Sequence, residues 1–366
     1  MDGTPIFTAV STSARQLYLL LRCIAFSQRA EVQIDPHGIQ FSVEEARVVQ
    51  GLTFLDKALF SSYSCKLPTT DSDALPTFSI SITALLETLQ IFGTAEASSS
   101  VRNPYGGFSS SYGNAFSTPA LALGGTCRIT YQEVGAPLTI TIQEGSVTTV
   151  CDMNTYEVQG SQGDDGGVPL DRSKLCMKAI MRSTWLSDAI AELSGMNPTV
   201  LVVNVSKRSA PYFSLEGDGG PFGNSTVDFT SESKNDSTPS EARVKRQPIV
   251  TETFVVNAPA GSHGRIRQRY KFDMIKRASR AMASATKVSI RQDEQGVLSL
   301  QFMVDLGDGG SGSRGDESAA LNAPPNPANV AYVEFRFVPL LDEEETESEG
   351  QTEDEEIEEQ DLDLSP

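Results

Sequence analysis

Residues 265–304 read RIRQRYKFDMIKRASRAMASATKVSIRQDEQGVLSLQFMV, and each element boundary is written in them. Residues 265–272 alternate charged and apolar side chains, with Ile266, Tyr270 and Phe272 on one side, the period-two pattern of a half-buried strand. Asp273 stands where an N-cap is expected. Met274, Ala278, Ala281, Met282 and Ala285 then recur at helical spacing as an apolar stripe. Lys276, Arg277 and Arg280 lie three and four residues apart and so share the other face. Two β-rich runs, 287–291 and 297–304, are joined by Asp293-Glu294-Gln295-Gly296, a polar turn with glycine where positive φ is easiest. A sheet covered by a helix that turns a cationic ridge outward suits a polyanion.

The same order recurs upstream. Residues 6–10 read as a strand, and Ser13-Ala14-Arg15-Gln16 has capping-box form. The helix it opens buries Leu17, Leu20, Leu21 and Ile24, while Arg15, Arg22 and Arg29 recur every seven residues as a second basic edge. A hairpin, 31–35 and 39–43, turns at Pro36-His37-Gly38, and 47–54 adds a strand. Residues 78–82 are a strand, and Thr83 caps a helix over 84–92 that ends at Gly93. Strands at 127–132, 138–143 and 146–152 follow. Beyond the polar, Gly-rich stretch 155–171 come a strand at 175–181 and a helix capped by Ser183, with Trp185, Leu186, Ala189, Ile190 and Leu193 at its core face and Gly195 near its end. Strands at 200–205, 212–216, 225–229 and 249–256 lead back to the opening unit, and 330–339 is a last alternating strand. Residues 94–125, 217–248 and 305–329 contain aperiodic Ser/Gly-rich insertions. Strand, helix and strands thus occur four times, as two similar halves.

Composition bounds the function. The 366 residues carry 29 basic and 48 acidic side chains, a net charge of −19. Residues 342–363 hold 14 acidic and no basic residues, which leaves 34 acidic against 29 basic residues, a net of −5, for 1–341. A body so near neutral can carry one strongly positive surface. No apolar run approaches the roughly 18–20 residues of a membrane span, so no membrane is expected, and the first residues lack the form of a secretory signal. Cys23, Cys65, Cys127, Cys151 and Cys176 are widely spaced and read as reduced thiols, neither a disulfide frame nor a zinc site.

The ordered series resembles the sliding DNA clamps, and among them the Rad-one subunit family of the 9-1-1 checkpoint ring, a PCNA-like DNA clamp. The match is carried by 15–26, Gly38-Ile39, Val43-Glu44-Glu45-Ala46, Gln50, 85–93 (LLETLQIFG), 137–150 (PLTITIQEGSVTTV), Cys151-Asp152-Met153-Asn154-Thr155, Pro211-Tyr212-Phe213, 287–302 and 333–337. The resemblance implies an α+β fold of two topologically similar domains, each with curved sheets backed by two helices. The first would be 1–154, the connecting linker 155–172, the second 173–341, and 342–366 a disordered acidic tail. It further implies a heterotrimer with Rad-nine and Hus-one type sisters, a clamp loader, double-stranded DNA in the hole and a nuclear location, in DNA repair and cell-cycle control. Arg15, Arg22, Lys276, Arg277 and Arg280 are the expected DNA contacts, made to phosphates without reading bases. The helices over 84–92 and 184–193 carry Glu87, Asp188 and Glu192 instead. The expected subunit edges are Ser146, Val147, Thr148, Thr149 and Val150 in the first half, with Ser225, Thr226, Val227, Asp228 and Phe229 in the second. The linker is a further docking candidate.

Other readings fit less well. A self-associating replication clamp would form a homotrimer. Members of the resembled family have been described as 3′→5′ exonucleases, but a two-metal nuclease needs rigid carboxylates holding cations about 3.5–4 Å apart. Asp-x-Glu occurs here at Asp342/Glu344 and Asp354/Glu356, in the acidic tail. No catalytic residue, metal or cofactor is expected. His37 and His263 have no triad neighbour in sequence, and the glycine runs at 217–220 and 307–310 lack the Gly-Lys-Ser/Thr of a phosphate loop. The acidic tail could screen the basic lumen or dock a basic partner, with Thr346 and Thr352 as acid-directed phosphorylation candidates. Arg243, Lys245 and Arg246 could aid nuclear import.

Overall fold

The computed structural model describes residues 4–12, 14–66, 75–90, 126–144, 146–158, 167–229, 252–259, 261–306 and 330–341. In chain order the elements are β1 (Phe7–Ser11), α1 (Ala14–Ile24), β2 (Arg29–Asp35), β3 (Gly38–Glu45), β4 (Val49–Asp56), β5 (Ser62–Cys65), β6 (Thr77–Ser81), α2 (Ile82–Gln90), β7 (Thr126–Tyr131), β8 (Leu138–Glu144) and β9 (Val147–Met153). They continue with β10 (Leu175–Arg182), α3 (Ser183–Ser194), β11 (Val200–Ser206), β12 (Phe213–Asp218), β13 (Ser225–Asp228), β14 (Thr253–Val256), β15 (Arg265–Lys271), α4 (Phe272–Ile275), α5 (Ser279–Ser284), β16 (Lys287–Asp293), β17 (Leu298–Asp305) and β18 (Val330–Phe337). The fold is strand-rich α+β, with antiparallel pairing throughout the described sheets.

Three sheets run β5-β1-β7-β8-β9, β14-β10-β16-β17-β18-β4-β3-β2-β6 and β13-β12-β11-β15. The order β5-β1-β7-β8-β9 is repeated by β14-β10-β16-β17-β18, and β6-β2-β3-β4 by β15-β11-β12-β13. The nine-stranded sheet exists because β18 pairs with β4, from Val333↔Thr53 to Phe337↔Val49. Strand alternation puts Phe302, Val333, Phe335 and Phe337 into a core continuous with Leu17, Leu20, Leu21 and Ile24 of α1. At Gly51 in β4 a Cβ would come within 2.8 Å of Phe26 and 3.2 Å of Ile24. Glycine there lets the end of α1 lie directly on the strand.

Several local expectations are corrected. Asp273 does not cap: it sits in the first turn of α4 and its carboxylate pairs with Lys276 at 2.7 Å. Thr83 lies inside α2, and the capping hydroxyl is that of Ser81, which accepts from Ala84 N at 3.2 Å. Ser183 is helical and buried, and its hydroxyl donates to Met282 O at 2.7 Å, tying α3 to α5. Arg29 is on β2, not on α1; its guanidinium lies 4.2 Å from the centre of the Tyr156 ring. Ser13, Gly93 and the acidic tail fall outside the described residues, as do the insertions 94–125 and 230–248 and residues 307–329. The strand expected at 225–229 forms as β13, whereas the insertion expected from 217 starts later, because 217 and 218 complete β12 and β13 follows.

Both ends of the linker are held. Tyr156 exchanges backbone hydrogen bonds with Ser79, at 2.8 and 2.9 Å. Val168 N donates to Gln50 Oε1 at 3.1 Å, Arg336 Nη1 to Val168 O at 3.2 Å, and Arg172 Nη2 to Glu334 Oε2 at 3.2 Å. Burial works against the Glu334 carboxylate, yet Arg336, the Ser299 hydroxyl and Arg172 hold it below the usual range.

Candidate nucleic-acid interface

The helices form one row. α1 packs against α2 on one side and α5 on the other, and α5 packs against α3. Their apolar stripes face the sheets: Leu17, Leu20, Leu21, Cys23 and Ile24 of α1 are buried, as are Ala281 and Met282 of α5. What remains outward is uneven in charge. Arg15 and Arg22 are exposed on α1, and Arg280 on α5. α2 presents Glu87, and α3 presents Asp188 and Glu192. The row is therefore cationic in the middle and acidic at both ends, an arrangement the separate helix faces already foretold.

The structure divides the five expected phosphate contacts. Among the described residues, Arg15 and Arg22 make no ion pair, and both side chains are exposed. Lys276 is shared with Asp273 and lies over the Phe272 ring at 5.6 Å. Arg277, half-buried, donates from Nη2 to Glu45 Oε1 at 2.7 Å. Arg280, though exposed, reaches the C-terminal end of α1, donating to Arg22 O at 3.5 Å and to Ala25 O, just past the helix, at 3.3 Å. A cation there meets the negative end of the α1 dipole. The expected free ridge on 276–280 is thus partly a clamp between α5 and the first half of the chain. Spacing along one helix could not reveal this, because both partners lie more than 200 residues away.

Among the described strands the three sheets end at β5 and β9, β14 and β6, and β13 and β15, and β9 and β13 are the two expected as subunit edges. β9 ends the five-stranded sheet and β13 ends the four-stranded one. Val147 and Val150 on β9 are 48% and 59% exposed, a large apolar display for an edge. Ser146 lies in the turn before β9, and Thr148 and Thr149 follow on the strand. Ser225, Thr226, Val227 and Asp228 make β13; Phe229 lies just past it, buried and stacked on Phe213 with ring centres 5.0 Å apart. It belongs to the core and not to an open edge.

Nothing resembling a catalytic centre is assembled at the positions weighed for one. His263 lies in a turn at φ +52° and His37 in the β2–β3 turn. Among the described residues there is no group of three or more His, Cys, Asp and Glu side chains arranged to hold a metal, and no helix long and apolar enough to cross a membrane. The Asp342/Glu344 and Asp354/Glu356 pairs lie outside those residues.

A family model described as "Repair protein Rad1/Rec1/Rad17" matches residues 6–304. The DNA damage checkpoint control protein rad1 of Schizosaccharomyces pombe is 27% identical over 304 residues, 82% of this chain and 81% of that protein. The cell cycle checkpoint protein RAD1 of Homo sapiens is 28% identical over 338 residues, 92% of each chain. Its Mus musculus counterpart is 29% identical over 297 residues, 81% of this chain and 86% of that one.

Proposed function

The chain belongs to the Rad1/Rec1/Rad17 repair-protein family, and from that premise we propose that it is one subunit of a heterotrimeric ring that encircles DNA in the DNA-damage checkpoint. In this reading the fold is a PCNA-like clamp of two similar domains, 1–154 and 173–341, joined by the linker 155–172. The observation that carries it is a seam used once and left open once. β18 pairs with β4 inside the chain. Their topological counterparts in the other half are β9 and β13, and both are open edges. The pairing that joins the halves within one subunit can therefore be repeated between subunits, β9 of one against the β13 position of the next. Repetition of one rotation closes a ring, with the helix row on the inner wall.

A ring that slides should hold phosphates and ignore base edges. Arg15 and Arg22 are the principal contacts in this reading, with Lys276 and Arg280 as secondary ones and Arg277 chiefly a strut. The acidic helices α2 and α3 call for sister subunits, of Rad-nine and Hus-one type, to supply cationic surface elsewhere on the wall. A clamp loader and a nuclear location follow from the same reading, and the role is that of a platform, not an enzyme. The cleft lined by Arg29, Glu31, Tyr156, Glu157 and Val158 beside the linker is the place for a client protein. There the Glu31 carboxyl is raised by burial and by neighbouring Glu44.

The test is co-expression with candidate sister subunits, followed by loading on circular and linear duplexes. A 1:1:1 assembly retained on closed circles and lost from linear DNA is expected. A stable homotrimer of the chain alone would favour a replication-type clamp. Metal-dependent degradation of DNA, lost on changing folded-body carboxylates, would favour the nuclease.

A further inference from the structure

The outward face of the four-stranded sheet carries charge that the ring leaves unused. Along β15, Arg265, Arg267, Arg269 and Lys271 alternate with buried Ile266 and Tyr270. Period-two geometry therefore stands all four cations on the side away from the core. Three are exposed and Arg269 is half-buried. The register with β11 sets Arg265 level with Ser206, beside the turn that holds exposed Lys207 and Arg208. Acidic groups on this face are Glu216, 3.8 Å from Arg267, and beyond it Asp218 and Asp228. Because α3 packs on the core side of β12 and β13, a duplex lying along the helix row cannot reach this strip.

The chain is delivered to this strand just before its acidic stretch. Leu340 N donates to Arg269 O at 2.8 Å, Gln268 Nε2 donates to Leu340 O at 3.5 Å, and Leu341 is exposed. Residues 342–366 follow at once, with 14 carboxylates and no cation among 342–363. We infer that residues 342–366 dock on the Arg265–Lys271 face of β15, as an internal polyanion that occupies the outer basic strip and leaves the helix row as the surface open to phosphates. The strip is roughly 20 Å long at strand rise, and the acidic stretch can reach roughly 80 Å when extended. Tethering at Leu341 gives an effective concentration on the order of millimolar, so individually weak, exposed ion pairs suffice. The inference does not depend on the ring.

The test is zero-length carbodiimide coupling of lysines to carboxylates in the full chain, read by mass spectrometry. Amide links from residues 342–366 to Lys271 and Lys207 are expected. They should fall at least fivefold in 1 M salt, where the screening length is about 3 Å, and in Arg265→Glu/Arg267→Glu at an unchanged melting temperature. Arg15→Glu/Arg22→Glu should leave them intact. Links centred on Lys276, links spread evenly over Lys57, Lys66, Lys178 and Lys276, or a yield indifferent to the β15 substitutions would overturn the inference.

Discussion

Arg277 and Glu45 are 232 positions apart in sequence, and Nη2 of the first lies 2.7 Å from Oε1 of the second. The contact joins the short helical turn between α4 and α5 to the end of β3, beside the seam where β18 meets β4. Each partner also keeps one buried polar atom without a hydrogen bond, Arg277 Nε and Glu45 Oε2. A half-buried single-contact pair couples by about 1 kcal/mol. A double-mutant cycle with Arg277→Gln and Glu45→Gln, followed by urea unfolding, should return that coupling. A value indistinguishable from zero would make the contact incidental.

The two basic edges should separate under charge reversal. Arg15→Glu/Arg22→Glu is expected to leave the thermal midpoint unchanged while weakening retention on closed circular DNA. Removing two phosphate contacts should make the slope of log affinity against log salt shallower by about 1.8. Arg277→Glu/Arg280→Glu should instead lower stability as well as retention, since it sets a carboxylate against Glu45 and another against the carbonyl end of α1. Equal stability losses in the two variants would erase this distinction.

If β9 pairs with a sister subunit, Val147→Asp/Val150→Asp should abolish trimer formation in size-exclusion chromatography while the isolated chain melts normally. Both valines are largely exposed, so their replacement costs the subunit little. Intact assembly of this variant would place the interface elsewhere.

Alkaline stability follows from the thiols. Burial pushes Cys23 up to about 11, against smaller lowering contributions from Ser284, Arg22 and Arg280. Burial alone pushes Cys127 up to about 12. Unfolded thiols ionise near pH 8.5–9, so the native state retains protons there that the unfolded state releases. The stabilisation is therefore complete below about pH 8.5 and declines as pH rises toward 11–12, by about 1.4 kcal/mol per pH unit for each thiol. Denaturant titrations at pH 8, 9.5 and 10.5 check this, and Cys23→Ala/Cys127→Ala should flatten the decline. By the same logic neither thiol should react with iodoacetamide in the folded chain at pH 8.

Much of the architecture was legible because its signals are local. The alternation in 265–271, the stripe from Ala278 to Ala285 and Gly296 at φ +82° each depend on residues within one or two turns. The caps were read less well: a hydroxyl before a helix fits two neighbouring registers, and only tertiary packing drew Ser183 inward to Met282 and left Ser81 to cap α2. β13 was read as a strand at 225–229 and forms at Ser225–Asp228, while the insertion beside it was drawn too wide, since so short a strand next to a Gly-rich run carries too little period to fix the boundary.

The sequence by itself determined the order and type of the elements, their fourfold recurrence and the basic faces of two helices, because backbone period and side-chain chemistry act over short distances. Only the tertiary structure decided which cations stay free. That Arg277 closes on Glu45, that Arg280 reaches the end of α1, and that β18 joins β4 while β9 and β13 stay open depend on segments brought together from far along the chain. A charge's availability is set by what folding places beside it, and no local pattern encodes that neighbour.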